Sequence, residues 1–285
     1  MALTTDQDYL LCTHFTDKSL EIFQNNGSGF EFYQLLAFAA TPNQLTVTNH
    51  SKASVLCSDG LNIIEQDSDG VFASSMLLSL SSDFQCFRIS RDEGTLIFGM
   101  GTRVEIFLKN GTGYTLDQTI AEGVLGDGLA LSADEKELLF CSFSLAIYQH
   151  NGTKFIFKQS IHLGFLCLFT CFIGNLIELH GFDPSLRLYE SNGSEYVPKF
   201  NIMTNETFLK EIGILEEEQK IMLGGDSKKA SIFALNSSSS ELVEQLDVGE
   251  TIMEVFVDPN SLYFILATTH EIELLFRCPD ECSAC

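Results

Sequence analysis

Seven Asn-x-Ser/Thr triplets stand at Asn26, Asn49, Asn110, Asn151, Asn192, Asn205 and Asn236, drawn from thirteen asparagines in all. The chemistry they offer is attachment of an oligosaccharide to the asparagine side-chain nitrogen, on a surface loop outside the cytosol. Ser and Thr make up roughly a sixth of the chain, so only about two such triplets would arise by chance. Four of the seven read Asn-Gly, which is also the preferred centre of a two-residue β-hairpin of type I′, where both residues take positive φ. The same residues are therefore expected to close a turn and to present a glycan.

Other reactive residues point to less. The tail Cys278–Cys285 spaces its thiols as Cys278-x3-Cys282-x2-Cys285 in a polar setting. That density suggests the start of a disulfide-stapled module in an oxidising compartment, while a zinc reading needs a fourth ligand. Asp67 and Asp69 form a sparse candidate for calcium, two carboxylates where six to eight oxygens are needed. The six histidines are scattered and are read as solvated. No hydrolase elbow, metalloprotease helix, phosphate loop or dinucleotide fingerprint occurs, and no enzyme activity is expected. No resident cofactor is expected either, beyond the glycans.

The elements that position these residues recur. Hairpins of one pattern surround Phe23, Ile64, Phe107, Tyr148, Tyr189, Phe233 and Leu275, at intervals of 41, 43, 41, 41, 44 and 42 residues. Each is preceded by a strand ending in Ser or Thr, a polar turn with Asp or Asn, and a strongly apolar strand, as in Ala130–Cys141. Four strands per forty-odd residues, without helical periodicity, specify propeller blades. The expected fold is all-β: a β-propeller of about seven four-stranded blades, at about 1–41, 42–84, 85–126, 127–165, 166–207, 208–249 and 250–277, with the cysteine-rich tail at 278–285. Five sequons (Asn26, Asn110, Asn151, Asn192 and Asn236) fall at the tip between the third and fourth strands. The last blade lacks its outer strand, since Cys278-Pro279 stands where the others have Asn-Gly. Ring closure is thus incomplete within the chain, and a strand donated by another segment or molecule would supply it.

Cys12, Cys57 and Cys141 share one repeat position with Gly99, Gly224 and Ala267. That equivalence reads as a demand for a small buried residue rather than for a bond or a metal. Cys86, Cys167 and Cys171 lie in apolar strands and read the same way.

The charge excludes some partners. With 39 acidic and 16 basic residues the net charge is -23, which repels phosphate backbones and acidic membranes. No apolar run reaches the length of a membrane span, and Met1–Leu11 lacks the basic and apolar segments of a secretory signal.

The repeat resembles the extracellular propeller repeats of protist and bacterial surface proteins, of the FG-GAP, integrin-α-like or WD-like kind. The tail resembles the opening of a furin-like cysteine-rich module. The repeats lack the acidic loop that calcium-binding blades carry in most copies, and there is no Trp-Asp signature. The resemblance implies an extracellular or cell-surface glycoprotein for adhesion, surface-coat or filament assembly, meeting other surface proteins or copies of itself. An intracellular propeller scaffold in the cytoplasm is the alternative, favoured by the missing signal and the apparently free thiols. A propeller enzyme with its site in a central channel is the third.

Overall fold

The computed structural model describes residues 2–4, 8–27, 29–49, 52–79, 84–100, 103–111, 113–121, 128–173, 175–181, 183–204, 209–215, 220–236, 239–257, 263–268 and 272–276. The fold is an all-β propeller, and the described residues contain no helix. Each blade is an antiparallel meander in chain order. The first comprises β1 (Ala2–Leu3), β2 (Tyr9–His14), β3 (Ser19–Asn25) and β4 (Phe30–Ala37). The second comprises β5 (Pro42–Asn49), β6 (Lys52–Cys57), β7 (Gly60–Gln66) and β8 (Phe72–Ser79). The third comprises β9 (Phe84–Ile89), β10 (Thr95–Met100), β11 (Arg103–Asn110) and β12 (Gly113–Ala121). The fourth comprises β13 (Gly128–Leu131), β14 (Glu137–Cys141), β15 (Ser144–His150) and β16 (Phe155–His162). These four blades lie within one compact unit, Met1–Gly164.

A second unit, Phe165–Cys285, holds the rest. Its first blade comprises β17 (Cys167–Ile173), β18 (Leu176–Gly181), β19 (Asp183–Ser191) and β20 (Tyr196–Met203). The next comprises β21 (Leu209–Leu215), β22 (Lys220–Gly225), β23 (Lys229–Leu235) and β24 (Ser240–Asp247). Among the described residues the final sheet has three strands, β25 (Ile252–Val257), β26 (Tyr263–Thr268) and β27 (Ile272–Phe276). The propeller therefore has six four-stranded blades, not the seven expected from the period. In sequence, the seventh repeat has Cys278-Pro279 where most other blades have an Asn-Gly tip, and a proline has no N–H to give to a ladder. The cysteine tail, Cys278, Cys282 and Cys285 included, lies outside the described residues, as do Asn205 and the side chain of Asn49.

The second strand of each four-stranded blade is its most buried. Leu138, Leu139, Phe140 and Cys141 are sealed from solvent, as are Ala53 to Cys57 and Ile221 to Leu223. One face of each sheet packs on the next sheet of its own unit; Ile97, Val104 and Ile106 meet Leu129, Leu138 and Phe140 in one such core. The demand for a small residue late in this strand is real. A Cβ on Gly99 would stand 2.5 Å from Cys86 Sγ, and one on Gly224 would stand 2.5 Å from Ile252 Cγ2. Cys57 accordingly behaves as a buried apolar group, its thiol pKa pushed up to about 11 by burial, with Asp59 adding to the rise.

The fourth strands carry a device that the sequence pattern does not announce. In five of the six complete blades the pairing with the third strand slips by one residue at a single place, beside Phe23, Phe107, Tyr148, Tyr189 and Phe233. These are the aromatics on which the repeat aligns. Such a bulge increases twist and disrupts the free edge, which discourages edge-to-edge pairing with other chains.

Candidate functional site at the hairpin ends of the blades

Within each complete blade the turn after the first strand and the turn after the third strand lie at the same end of the sheet. The chain's repeated polar motifs converge there. The first turn is built from a hydroxyl and a carboxylate. Ser90 Oγ donates to Asp92 Oδ1 at 2.7 Å and accepts from Thr95 N at 2.8 Å, while Gly94 N donates to Asp92 Oδ1. Ser132, Asp134, Lys136 and Glu137 repeat the arrangement in the fourth blade. The Ser90 hydroxyl first, and then the Gly94 N–H, hold the Asp92 carboxyl below its ordinary pKa; Ser132 and Lys136 do the same for Asp134.

These turns also tie blade to blade. Glu93 and Glu135 sit at positive φ, 57° and 59°. Glu93 takes Lys52 Nζ of the preceding blade at 2.7 Å, and Glu135 takes Arg91 N at 2.6 Å. Beside them lie two shallow cavities. One of about 220 Å³ is lined by Thr46, Arg88, Arg91, Ser132 and Glu135, and a second of about 240 Å³ by Asp134, Lys136, His150 and Phe155.

The hairpin tips do not have the expected geometry. No asparagine of an Asn-Gly tip has positive φ; the glycines do, at 84° for Gly27, 64° for Gly111, 100° for Gly152 and 94° for Gly193. Asparagine is the last paired residue, not the first turn residue. Asn26, Asn151, Asn192 and Asn236 each donate their backbone N–H to the carbonyl three residues on, at 2.8–3.0 Å. At Asn151 and Asn192, Gly and the following Thr153 or Ser194 thus form the two-residue loop, with positive φ at the glycine and not at the residue after it, as in a type II′ turn. The physical reason is the asparagine side chain. Asn151 Oδ1 accepts from Thr153 N at 3.0 Å, Thr153 Oγ1 at 2.9 Å and Lys154 N at 2.9 Å. Asn192 Oδ1 accepts from Ser194 N, Ser194 Oγ and Glu195 N over the same range, 2.9–3.0 Å. The side-chain oxygen replaces a backbone carbonyl as acceptor, an Asx turn that needs no strained asparagine. Both tips are exposed.

The second blade substitutes a carboxylate. Asp67 Oδ1 accepts from Asp69 N and Val71 N, both at 2.9 Å, around a three-residue loop that ends in Gly70 at φ 86°. The carboxylate proposed for calcium is thus engaged in holding its own turn, and the described residues hold no cluster of three or more metal-ligating side chains.

Two arrangements escape the sequence pattern. Gln34 Nε2 donates to Phe72 O at 2.7 Å and its Oε1 accepts from Phe72 N at 2.9 Å. Gln118 makes the same pair of bonds with Phe155, at 2.7 and 3.1 Å. In each case an amide side chain on one outer strand imitates a strand pairing with the next blade's outer strand. The only available signal was glutamine recurring just past the bulge at Gln34, Gln118 and Gln159. The other arrangement is a buried polar set. His180 Nδ1 bonds Glu178 Oε1, Glu178 Oε2 accepts from Cys171 Sγ at 3.2 Å, and Phe169 stacks on the imidazole at 4.8 Å. His180 is therefore a core residue and not the solvated histidine expected.

No protein-family model matches the chain, and no curated protein matches it in sequence. Among solved structures it is similar to a chain of a mitotic checkpoint complex, with a TM-score of 0.75 and 12% identity over 95% of this chain and 88% of that one. It is also similar to a functionally unknown protein from Desulfotomaculum acetoxidans, with a TM-score of 0.77 and 13% identity over 94% and 92%. At such identities the likeness establishes the propeller fold alone. The expected kinship with FG-GAP repeats and with a furin-like module is not supported.

Proposed function

We propose that the chain is a non-enzymatic interaction scaffold that uses the outer strands of its blades for contact and carries N-linked glycans at its hairpin tips. The observation that carries this reading is a set of exposed apolar side chains at one register. Phe32, Leu116, Phe157 and Leu242 pair with the aligned aromatics of their third strands and are 61%, 53%, 58% and 49% exposed. Exposed apolar groups repeated in this way favour contact with another macromolecule. The charge of -23 makes that partner a protein surface rather than a nucleic acid. Replacing Leu116 and Phe157 together by Ser is expected to abolish self-association in sedimentation velocity without lowering the melting temperature. A wild type that stays monomeric at every concentration removes copies of itself as the partner.

Glycans are supported by the tips at Asn151 and Asn192, which are exposed and whose side-chain oxygen is held by their own loop. Secretion from a eukaryotic host followed by intact mass measurement before and after deglycosylation tests this; an unchanged mass defeats the extracellular, cell-surface reading. The cytoplasmic scaffold draws support from a different observation. Among the described residues no two cysteine sulfurs stand at disulfide distance, as expected where thiols are kept reduced.

A further inference from the structure

Three of the four Asn-Gly tips differ in what the glycine N–H meets. At Asn192 it is a hydroxyl: Gly193 N donates to Ser191 Oγ at 3.2 Å. At Asn26 it is an amide oxygen, Asn25 Oδ1 at 2.9 Å. At Asn151 it is a base: Gly152 N donates to His150 Nδ1 at 3.3 Å. That bond puts the lone pair of the neutral ring on Nδ1 and its proton on Nε2. The imidazole is held by edge contact with Phe155, 4.9 Å between centroids, and it lines the 240 Å³ cavity. Three donors converge on Asn151 Oδ1.

We infer that Asn151-Gly152 is a self-modifying site, converted to a succinimide and then to Asp or isoaspartate by its own hairpin. His150 Nδ1 removes the Gly152 amide proton as Gly152 N attacks Asn151 Cγ. A new C–N bond forms, and the carbonyl π pair moves to Oδ1. Thr153 N–H, Thr153 Oγ–H and Lys154 N–H stabilise that oxyanion as preorganised donors do in acyl transfer. The carbonyl then re-forms, the Cγ–Nδ2 bond breaks, and Nδ2 leaves as ammonia with the proton from the imidazolium. Water next adds to either carbonyl of the ring and opens it. The net change is asparagine plus water to aspartate or isoaspartate plus ammonia. Asn192 has the same three donors but a hydroxyl in place of the base, which makes it the internal control.

The reaction does not depend on glycosylation. Protein made in a host without N-glycosylation, incubated at neutral pH and mapped by peptide mass spectrometry, reads the two sites in one sample. Asn151 is expected to convert at least about tenfold faster than Asn192, a modest share of the 10²–10⁴ that a positioned base typically contributes. His150→Ser should bring Asn151 down to the rate of Asn192, and Ser191→His should raise Asn192 towards that of Asn151. Equal rates at the two sites of the native protein, or an unchanged rate in His150→Ser, overturn the inference. Both positions are half-buried, so thermal melts of both variants are run alongside, and rates are compared at a temperature well below the lower melt, which keeps a loosened hairpin from passing for a lost base.

Discussion

The two turns at the hairpin end of a blade use one trick for opposite purposes. In each, a side-chain oxygen accepts backbone N–H groups that the turn would otherwise leave unpaired. In the turn after the first strand that oxygen belongs to a buried Ser90, itself bonded to Asp92, and the neighbouring residues reach across to the adjacent blades. At the tip after the third strand it belongs to Asn151 or Asn192, whose side-chain oxygens bond within their own loop. The first turn positions blades; the second presents a group to whatever lies outside. Burial separates the two, because an unmet donor costs full desolvation inside and is rescued by water outside.

The sharpest break would come from deleting the hydroxyl in each. Ser90→Ala strands the Thr95 N–H beside a residue that is 1% exposed and is expected to cost about 1–3 kcal/mol in denaturant unfolding. Ser194→Ala leaves Asn192 Oδ1 two N–H donors, so its cost should stay below about 0.5 kcal/mol. Equal costs would end the distinction. Next in size is Gly152→Ala. A Cβ there meets nothing within 4 Å, so only the φ of 100° opposes it, and a loss of about 1 kcal/mol should appear as a lower melting temperature. The pH response sharpens the comparison further. Asp92 and Asp134 have native pKa values below the ordinary 3.8, so the folded state binds fewer protons than the unfolded state just below that value. Their stabilisation is complete above 3.8 and is lost as pH falls through the native values. The exposed setting keeps this under about 1 kcal/mol, and an Asp92→Asn, Asp134→Asn double variant should flatten that stretch of the stability–pH curve. Smallest of all is Asn151→Asp, which keeps the accepting oxygen as Asp67 does in the second blade. Its stability should match wild type within about 0.5 kcal/mol, while any glycan at that position disappears from the mass.

Much of this architecture was legible in the residues. The period, the four-strand unit, the hydroxyl–carboxylate turn and the small residue at Cys57, Gly99 and Gly224 are all local patterns, and local patterns survive into the fold. What was not legible depends on partners distant in sequence. Asn-Gly was expected to supply both turn residues, but the side-chain oxygen made the asparagine a paired residue and moved the loop one position along. The Gln34 and Gln118 pairings join residues 38 and 37 apart, where no spacing rule applies. Glu178 and His180 alternate correctly for one face of β18, yet nothing in the sequence says that this face is buried opposite Cys171. The blade number failed differently: the last repeat was counted as a blade although the residues after its third strand, Cys278-Pro279, already pointed to a three-stranded sheet.

The glutamine pairings have a consequence for how the molecule comes apart. Because Gln34 and Gln118 stand in for a peptide unit, the first amide of β8 and of β16 is shielded by the blade before it and not by its own ladder alone. In hydrogen exchange, the Phe72 and Phe155 amides would therefore report the integrity of their neighbours. Blades one and two, and blades three and four, would open as couples, each with a sentinel proton at the seam.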